Sequence, residues 1–412
     1  MVSLPDIEAA RTLIRPHVIR TPLVHSPTLS GMAGAEVFLK LEAMQKGGSF
    51  KIRGALTHIL SRRGEMGTGG VVAASAGNHA QGVALAARLA GVPATVVMPE
   101  WASISKQAAT RAYGAEVILH GTSLEESLDR ARELAGEGRT MVHAYNDPLV
   151  IAGQGTIGLE ILEDLPTVDQ VIVPVGGGGL IAGIAIAIRG RNPGVRVTGV
   201  QAAACPSAVE ALGAGKPVTV ESRRTLADGI RVRRVGDIPF PVIRDLVDRV
   251  VLVGEDAIAD AMLLLLERKK VLAEGAGAAP LAALLSGSAG IAPGSRVVLV
   301  VSGGNLDIPL LERVIRRGLV RTGRVLHLTA TLEDAPGILA SMLTVIGSQG
   351  GNILHIHHGR GDPGISVTAV RLDLVIETRG PDHSRRIMDE LEREGYTVTE
   401  SGRSGKPGED MV

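Results

Sequence analysis

The chain is poor in several things at once. Cys205 is its only cysteine, so neither a disulfide within the chain nor a cysteine-built metal cluster can form, and a reducing compartment is expected. Aromatic residues make up 2% of the chain, which leaves little to build a stacking platform for nucleic-acid bases. Neither sign of charge is in excess: 43 basic and 43 acidic residues cancel, and with them goes any electrostatic footprint for a phosphate backbone or an anionic membrane. Long hydrophobic runs are lacking too, since "LIAGIAIAI" and "VVLVV" fall well short of the roughly 20 residues that span a bilayer. The opening "MVSLPDIEAARTLIRPHV" mixes charged and apolar residues, which predicts an amphipathic helix rather than an export signal. The expectation is a soluble, cytoplasmic protein whose partners are small molecules.

What the chain does contain is a strand-then-helix rhythm. Its 412 residues are enough for two to three domains at about 150 each. From residue 71 the order is "VVAAS", a helix ending at Gly91, "ATVVMP", a helix, "AEVILHG", a helix opening "SLEESLDRARELA" with Ser123 and Glu126 spaced as a capping box, then "TMVHAY". A second series runs through "VDQVIVPV", "GVRVTGVQ", "RVVLVG" and "SRVVLVVSGGN". Short β-branched runs between helical segments indicate βαβ units and parallel sheets, with ligands beyond the carboxyl ends of the strands. Two such lobes fill most of residues 1 to 318. After "RVIRRGLVRTG" the grammar changes. Residues 324 to 400 read β-α-β-β-α-β, a separate ferredoxin-like domain. The tail from 401 to 412, "SGRSGKPGEDMV", has too little apolar content to pack and is expected to be disordered.

Three loops at strand ends carry candidate chemistry. "SAGNHAQG", residues 75 to 82, hands a strand over to a helix whose first N–H groups are free for a carboxylate, although an ordinary turn reads the same way. "GGGG", Gly176 to Gly179, leads into "LIAGIAIAI", where close backbone approach and the helix dipole favour a phosphate. Gly177, Gly179 and Ala182 also satisfy a dinucleotide fingerprint, but Gln201 stands where an acid would hold a ribose. No triphosphate-binding P-loop sequence occurs. A lone phosphate on another cofactor fits better. "VVLVVSGGN" puts Ser302 at a strand end, either to cap a helix or to offer its hydroxyl to a heterocycle. The fourth feature is "GSFKIRGA", with Lys51 behind Phe50 and before Arg53. A lysine does chemistry only as the neutral amine, and desolvation beside Phe50 and the cation of Arg53 is expected to lower its pKa.

Together these features resemble the tryptophan-synthase-β-like, fold type II pyridoxal-phosphate enzymes, and among them the threonine ammonia-lyases (threonine dehydratases). The resemblance runs from about residue 5 to 318 through "SFKIRGA", "SAGNHAQG", "AGQGTIGLEI", "VGGGGLIAGIA", "EGAGA" and "SGGN", in the family's order. "EDAPGIL" and "GGNI" in 324 to 400 resemble an ACT domain, an amino-acid-sensing module. The resemblance implies a small lobe over roughly 45 to 145 inserted in the large one, and that Lys51 holds pyridoxal 5'-phosphate as a Schiff base and takes the α-proton. Phe50 would pack on the cofactor ring, Asn78 would bond its hydroxyl, Gly176, Gly177, Gly178 and Gly179 would hold its phosphate, and Ser302 would face its nitrogen. Ser75, Gly77 and His79 would belong to the loop that receives the substrate carboxylate, mostly through backbone amides, and Ala152 to Thr156 would border its side chain. The implied reaction converts L-threonine to 2-oxobutanoate and ammonia, and serine to pyruvate. An isoleucine or valine effector and a homotetramer or homodimer are implied as well.

Two departures bear on neighbouring activities. Serine racemases resembling this chain carry a serine where Ala76 stands, and they hold a divalent cation with an acid where Gln201 stands. Slow or absent racemisation and no divalent metal site are therefore expected. A racemase or hydroxyaspartate dehydratase of the same family remains the alternative. A nicotinamide-dependent oxidoreductase, or a sensor built on 324 to 400, would leave "SFKIRGA" without a purpose. "HIHH", His355 to His358, places only His355 and His357 on one strand face and reads as solvated histidines, not a metal cluster. Cys205 reads as packed, and "ERKK", Glu267 to Lys270, as a helix end.

Overall fold

The computed structural model describes residues 2 to 360 and 365 to 400; the tail at 401 to 412, expected to be disordered, lies outside the described residues. The chain divides into two units, Met1–Ile308 and Pro309–Val412. The helix Ile308–Arg321, expected at the end of the two α/β lobes, thus belongs almost wholly to the second unit.

The first unit contains two sheets, whose central strands are runs of Val, Ile and Ala buried on both faces while their outer strands are partly exposed. The larger has the order β1 (Leu23–His25), β2 (Glu36–Leu41), β10 (Arg296–Val301), β7 (Gln170–Pro174), β8 (Arg196–Ala202), β9 (Arg249–Val253), parallel except where β1 pairs with β2. The smaller, all parallel, has the order β5 (Glu116–Leu119), β4 (Ala94–Met98), β3 (Val71–Ala74), β6 (Thr140–Met141). Its strands all fall between β2 and β7, so the chain leaves the large sheet, builds the small one and returns.

Each sheet has its own core, one around Ile157, Val171, Val173, Ile184 and Val197, the other around Ile52, Leu56, Val83 and Val96. Full burial of each such side chain contributes about 1.5–3 kcal/mol. The helix Gly179–Arg191 is buried from Gly179 to Ile188, so the glycine run before it has a rigid base.

Local details follow side-chain chemistry. Ser3 and Asp6 close a capping box on the helix Leu4–Ile14, whose Ile7, Ala10 and Ile14 face the interior. Ser123 accepts from the Glu126 N–H at 3.2 Å, but Glu126 turns back to the Thr122 N–H at 2.8 Å, so only half of the expected box forms. The strand expected over "TMVHAY" is cut short. Only Thr140–Met141 pairs, because His143 Nδ1 accepts from the N–H groups of Tyr145 (3.3 Å) and Asn146 (3.0 Å) and bends the chain. "ERKK" closes in a π turn, Leu265–Lys269, with Lys270 in the left-handed region at φ 56 and its Nζ on the Glu267 carbonyl at 2.8 Å.

In the second unit β11 (Val325–Glu333), β12 (Asn352–Gly359), β13 (Ala369–Glu377) and β14 (Thr397–Glu400) form an antiparallel sheet of order β12-β13-β11-β14. With the helices Ile338–Ser348 and Pro381–Arg393 this is the β-α-β-β-α-β order of a ferredoxin-like fold. Its core gathers Leu326, Leu328, Met342, Ile346, Leu372, Leu374 and Ile387. His355, His357 and His358 are all exposed on the edge strand β12. Among the described residues no helix is long and apolar enough to cross a membrane.

Candidate active site

Four strand ends and the helix Lys51–Arg62 converge at one place, and their contacts close into a ring. Lys51 Nζ donates to the Ala144 carbonyl at 3.3 Å. The next residue, Tyr145, lies against the glycine run so closely that a Cβ on Gly177 would sit 2.3 Å from Tyr145 Cγ. Gly176 packs on the backbone of Gly229 and Ile230, and Gly229 in turn approaches the Glu274 carboxylate. Glu274 accepts from Asn78 Nδ2 at 2.8 and 2.9 Å, and a Cβ on Gly303 would lie 2.5 Å from Glu274 Oε1. The neighbouring Ser302 carbonyl accepts from the Phe50 N–H at 3.1 Å, which returns the ring to Lys51. Lys51, Asn78, Gly176 to Gly179 and Ser302 are therefore brought together.

The donors that face this ring are backbone groups. Among the described residues the N–H groups from Gly176 to Ile181 have no protein acceptor, and Gly177, Gly178 and Gly179 are buried. Buried N–H groups are almost always partnered, so a row of orphans behind a helix dipole is a receptor for an anion. Gly178 holds φ 99, which a side chain would strain. A second set lies at the helix Asn78–Ala90, where no side chain caps the start and the N–H groups of Ala76, Asn78, His79 and Ala80 lack a protein acceptor. Ser75 Oγ takes the Gly77 N–H at 3.1 Å and holds that turn. Ser302 is buried, and its hydroxyl has no partner among the described residues.

Electrostatics single out two groups. Burial lowers the Lys51 amine to about 8 against the attraction of Glu274, and its Nζ lies 5.0 Å from the Phe50 ring centre. Burial, with Asp228 adding repulsion, raises the Glu274 carboxyl to about 7, in spite of the Asn78 hydrogen bond and the charges of Lys106 and Lys51.

Two expectations, on Arg53 and on Ala152 to Thr156, are corrected. Arg53 does not supply the cation that depresses Lys51: it is fully buried and bonds the carboxylates of both Glu42 (2.8 and 2.9 Å) and Glu160 (2.7 and 3.0 Å), so its charge is neutralised locally. His79 offers the site its backbone N–H; its buried ring lies on the Val142 carbonyl at 2.8 Å and burial holds it neutral, its pKa lowered to about 3. Ala152 to Thr156 do not border an open site. They lie buried in mid-helix, where a Cβ on Gly153 would meet Thr57 Oγ1 at 2.5 Å and one on Gly155 would meet Ile7 Cδ1 at 2.6 Å.

Gln201 makes an internal cap, its Oε1 accepting from the Ala208 N–H at 2.8 Å and its Nε2 donating to Ser207 Oγ at 3.2 Å. Cys205 is buried, which pushes its thiol up.

Three further site residues carry a weak signal in the sequence. Glu274 is an acid at the head of the otherwise small and apolar "EGAGAAP", Tyr145 is one of 3 tyrosines, and Asn305 follows the "SGG" strand end. None has a spacing rule that connects it to Lys51. Only the fold brings Asn305 Nδ2 to Asn78 Oδ1 at 2.9 Å.

The arrangement has counterparts in known proteins. The model of the family described as pyridoxal-phosphate dependent enzyme matches residues 14–303. An L-threonine ammonia-lyase of Thermotoga maritima is 46% identical over 399 residues, covering 97% of this chain and 99% of its own. Among solved structures, maize serine racemase aligns with a TM-score of 0.73 at 39% identity, covering 78% of this chain and 98% of its own. The processed form of threonine deaminase isoform 2 from Solanum lycopersicum aligns with a TM-score of 0.72 at 36% identity, covering 76% of this chain and 86% of its own.

Proposed function

The chain belongs to the pyridoxal-phosphate dependent enzymes and, within them, to the threonine ammonia-lyases; from that premise we propose that it converts L-threonine to 2-oxobutanoate and ammonia. The observation that carries this reading is Lys51: an amine whose pKa burial lowers to about 8, so that it gives up its proton far more readily than an ordinary lysine, set between a row of phosphate-receiving N–H groups and a free strand-end hydroxyl.

The residues fit the cofactor. The orphaned N–H groups from Gly176 to Ile181 suit its phosphate, and the unpartnered Ser302 hydroxyl suits its ring nitrogen. Lys51 supplies the amine that would hold it. When bound, pyridoxal phosphate supplies an electron sink for the charge left on Cα.

The chain's own groups then have distinct tasks. The N–H groups of Ala76, Asn78, His79 and Ala80 receive the substrate carboxylate and fix which bond at Cα faces Lys51. Lys51, released as the free amine, takes the α-proton. The β-hydroxyl departs with a proton as water, and the enamine set free takes up water to give the 2-oxo acid and ammonia. Ser302 cannot keep a ring nitrogen protonated as an aspartate would, which favours a substrate whose β-group leaves promptly. Ala76 has no proton to give to the opposite face of Cα, so elimination is favoured over racemisation.

Serine is a second substrate in this reading, yielding pyruvate. The ferredoxin-like unit is an amino-acid sensor for isoleucine or valine, and the assembly is a homotetramer or homodimer. The test is release of ammonia and 2-oxo acid from threonine, serine and hydroxyaspartate, each with and without isoleucine, together with the absorption spectrum of the purified protein. A yellow protein that turns over threonine and whose band disappears in Lys51→Ala is the expected result. A colourless protein inactive on all three substrates would overturn the reading, and kinetics indifferent to isoleucine would remove the regulatory part.

A further inference from the structure

Glu274 is a buried carboxylate for which the reaction just described has no task. It occupies the position before the helix Gly275–Leu285, where a short acidic side chain would ordinarily cap its own helix, yet its side chain makes no capping bond. It reaches instead to Asn78, at the start of a helix that follows a strand of the other sheet. Leaving a helix start uncapped and a carboxylate buried is costly locally, and such groups cluster at functional sites.

The geometry shows what the contact does. Both carboxylate oxygens lie 2.8 and 2.9 Å from the same nitrogen, Asn78 Nδ2. The two oxygens of one carboxylate are too close together to take both amide hydrogens in line, so they share one hydrogen. The second N–H of Asn78 is left to donate elsewhere, and it points away from Glu274. On the other side of the amide, Asn305 Nδ2 donates to Asn78 Oδ1 at 2.9 Å and to the Gly47 carbonyl at 2.7 Å. The two partners hold the amide from both ends: Glu274 requires nitrogen on its side, and Asn305 requires oxygen on the other.

We propose that Glu274 is a positioning residue, which with Asn305 locks the orientation of the Asn78 amide so that its second N–H is presented to the cofactor. This rests on the function proposed above for its site but concerns a different residue. Protonating the carboxyl weakens its hold, since one oxygen then becomes a donor facing another donor. The groups that face Glu274 are Asn78, Asp228, Lys106 and Lys51; burial, with Asp228 on its side, outweighs the Asn78 hydrogen bond and the two cations. The carboxyl is raised to about 7, so the lock engages as pH rises through neutrality.

The test uses the full chain loaded with pyridoxal phosphate, as wild type, Glu274→Gln, Glu274→Ala and Asn305→Ala. The readouts are the cofactor absorption band as a function of pH without substrate, the rate of cofactor loss on dilution, and kcat and KM for L-threonine. In wild type the band is expected to change with an inflection near pH 7 that is absent from Glu274→Gln. Glu274→Ala is expected to lower kcat about 100-fold, the cost of misplacing a group at the reacting centre, with KM changed by less than about threefold. Asn305→Ala is expected to speed cofactor loss and to shift the band in the same sense. Unchanged band titration in Glu274→Gln, or kcat in Glu274→Ala within about twofold of wild type, overturns the proposal. If Glu274→Ala does not fold, the spectral titration of Glu274→Gln decides alone. Wild type inactive on threonine but with a band that follows Glu274 would sink the substrate assignment and leave the positioning role standing.

Discussion

Two buried charged regions share the helix Lys51–Arg62 and differ in how completely they are paired. Around Arg53 the charges balance: two cations, Arg53 and Lys40, meet two carboxylates, Glu42 and Glu160, with the Ile19 and Thr21 carbonyls accepting further hydrogen bonds. Burial alone would raise Glu42, but the charge and hydrogen bonds of Arg53 hold it below the usual carboxylate range. Around Lys51 the pairing is left incomplete. The amine has one carbonyl, the acid Glu274 has an amide, and each is shifted towards neutrality. Two residues along one helix therefore separate a group that stays charged to hold the fold from one that loses its charge to react. Pairing, and not burial by itself, decides which is which.

The largest effect expected is on the reactive side. Lys51→Ala should lower kcat by about 10⁴-fold or more and abolish the protein's absorption band, while its thermal midpoint stays near that of the wild-type apoprotein. The converse belongs to the paired region: Arg53→Ala leaves the buried Glu42 without its cation and Glu160 with Lys40 alone, and should cost about 3–5 kcal/mol in denaturant unfolding. An Arg53→Ala protein of wild-type stability would erase the distinction between the regions.

Next in size is Gly177→Ala, whose new methyl group must displace the Tyr145 ring. At about 1–3 kcal/mol for overpacking, cofactor affinity should fall about 10- to 100-fold, and Tyr145→Ala in the same chain should restore part of it.

The two acids then give opposite responses to pH. Glu42, depressed, contributes stability that is present above the ordinary carboxylate value of 4.5 and is lost as pH falls through its lower folded value. Glu274, raised to about 7, binds its proton more tightly in the folded state, so its contribution is greatest in acid and declines as pH rises from 4.5 through 7. Apoprotein melting temperatures for wild type and Glu274→Gln should accordingly diverge between about pH 5 and pH 8, with the variant gaining relative to wild type as pH rises. The smallest effect is expected far from both regions: His355→Ala, His357→Ala and His358→Ala, on an exposed edge strand, should each change stability by less than about 0.5 kcal/mol and leave threonine turnover unaltered.

Much of this is legible in order along the chain. The βαβ rhythm, the ferredoxin-like unit and the loops bearing Lys51, Asn78, Gly176 to Gly179 and Ser302 rest on local signals, namely period, turn residues and strand ends, whereas the insertion of the small lobe came only with the family resemblance. Arg53 misleads because sequence proximity to Lys51 says nothing of the carboxylates that arrive from Glu42 and Glu160. Ala152 to Thr156 mislead for a related reason, since small residues at helical spacing serve close helix packing as well as they serve an open site.

The amino-acid sequence by itself determined the elements, their order and the chemistry available at each strand end, because propensity, capping and hydrophobic period act over a few residues. Only the tertiary structure decided which buried charges find partners. That the Glu274 carboxylate lies on Asn78, 196 positions away, while Arg53 is neutralised by Glu160, 107 positions away, depends on how two sheets pack, and packing brings together groups that no spacing rule connects.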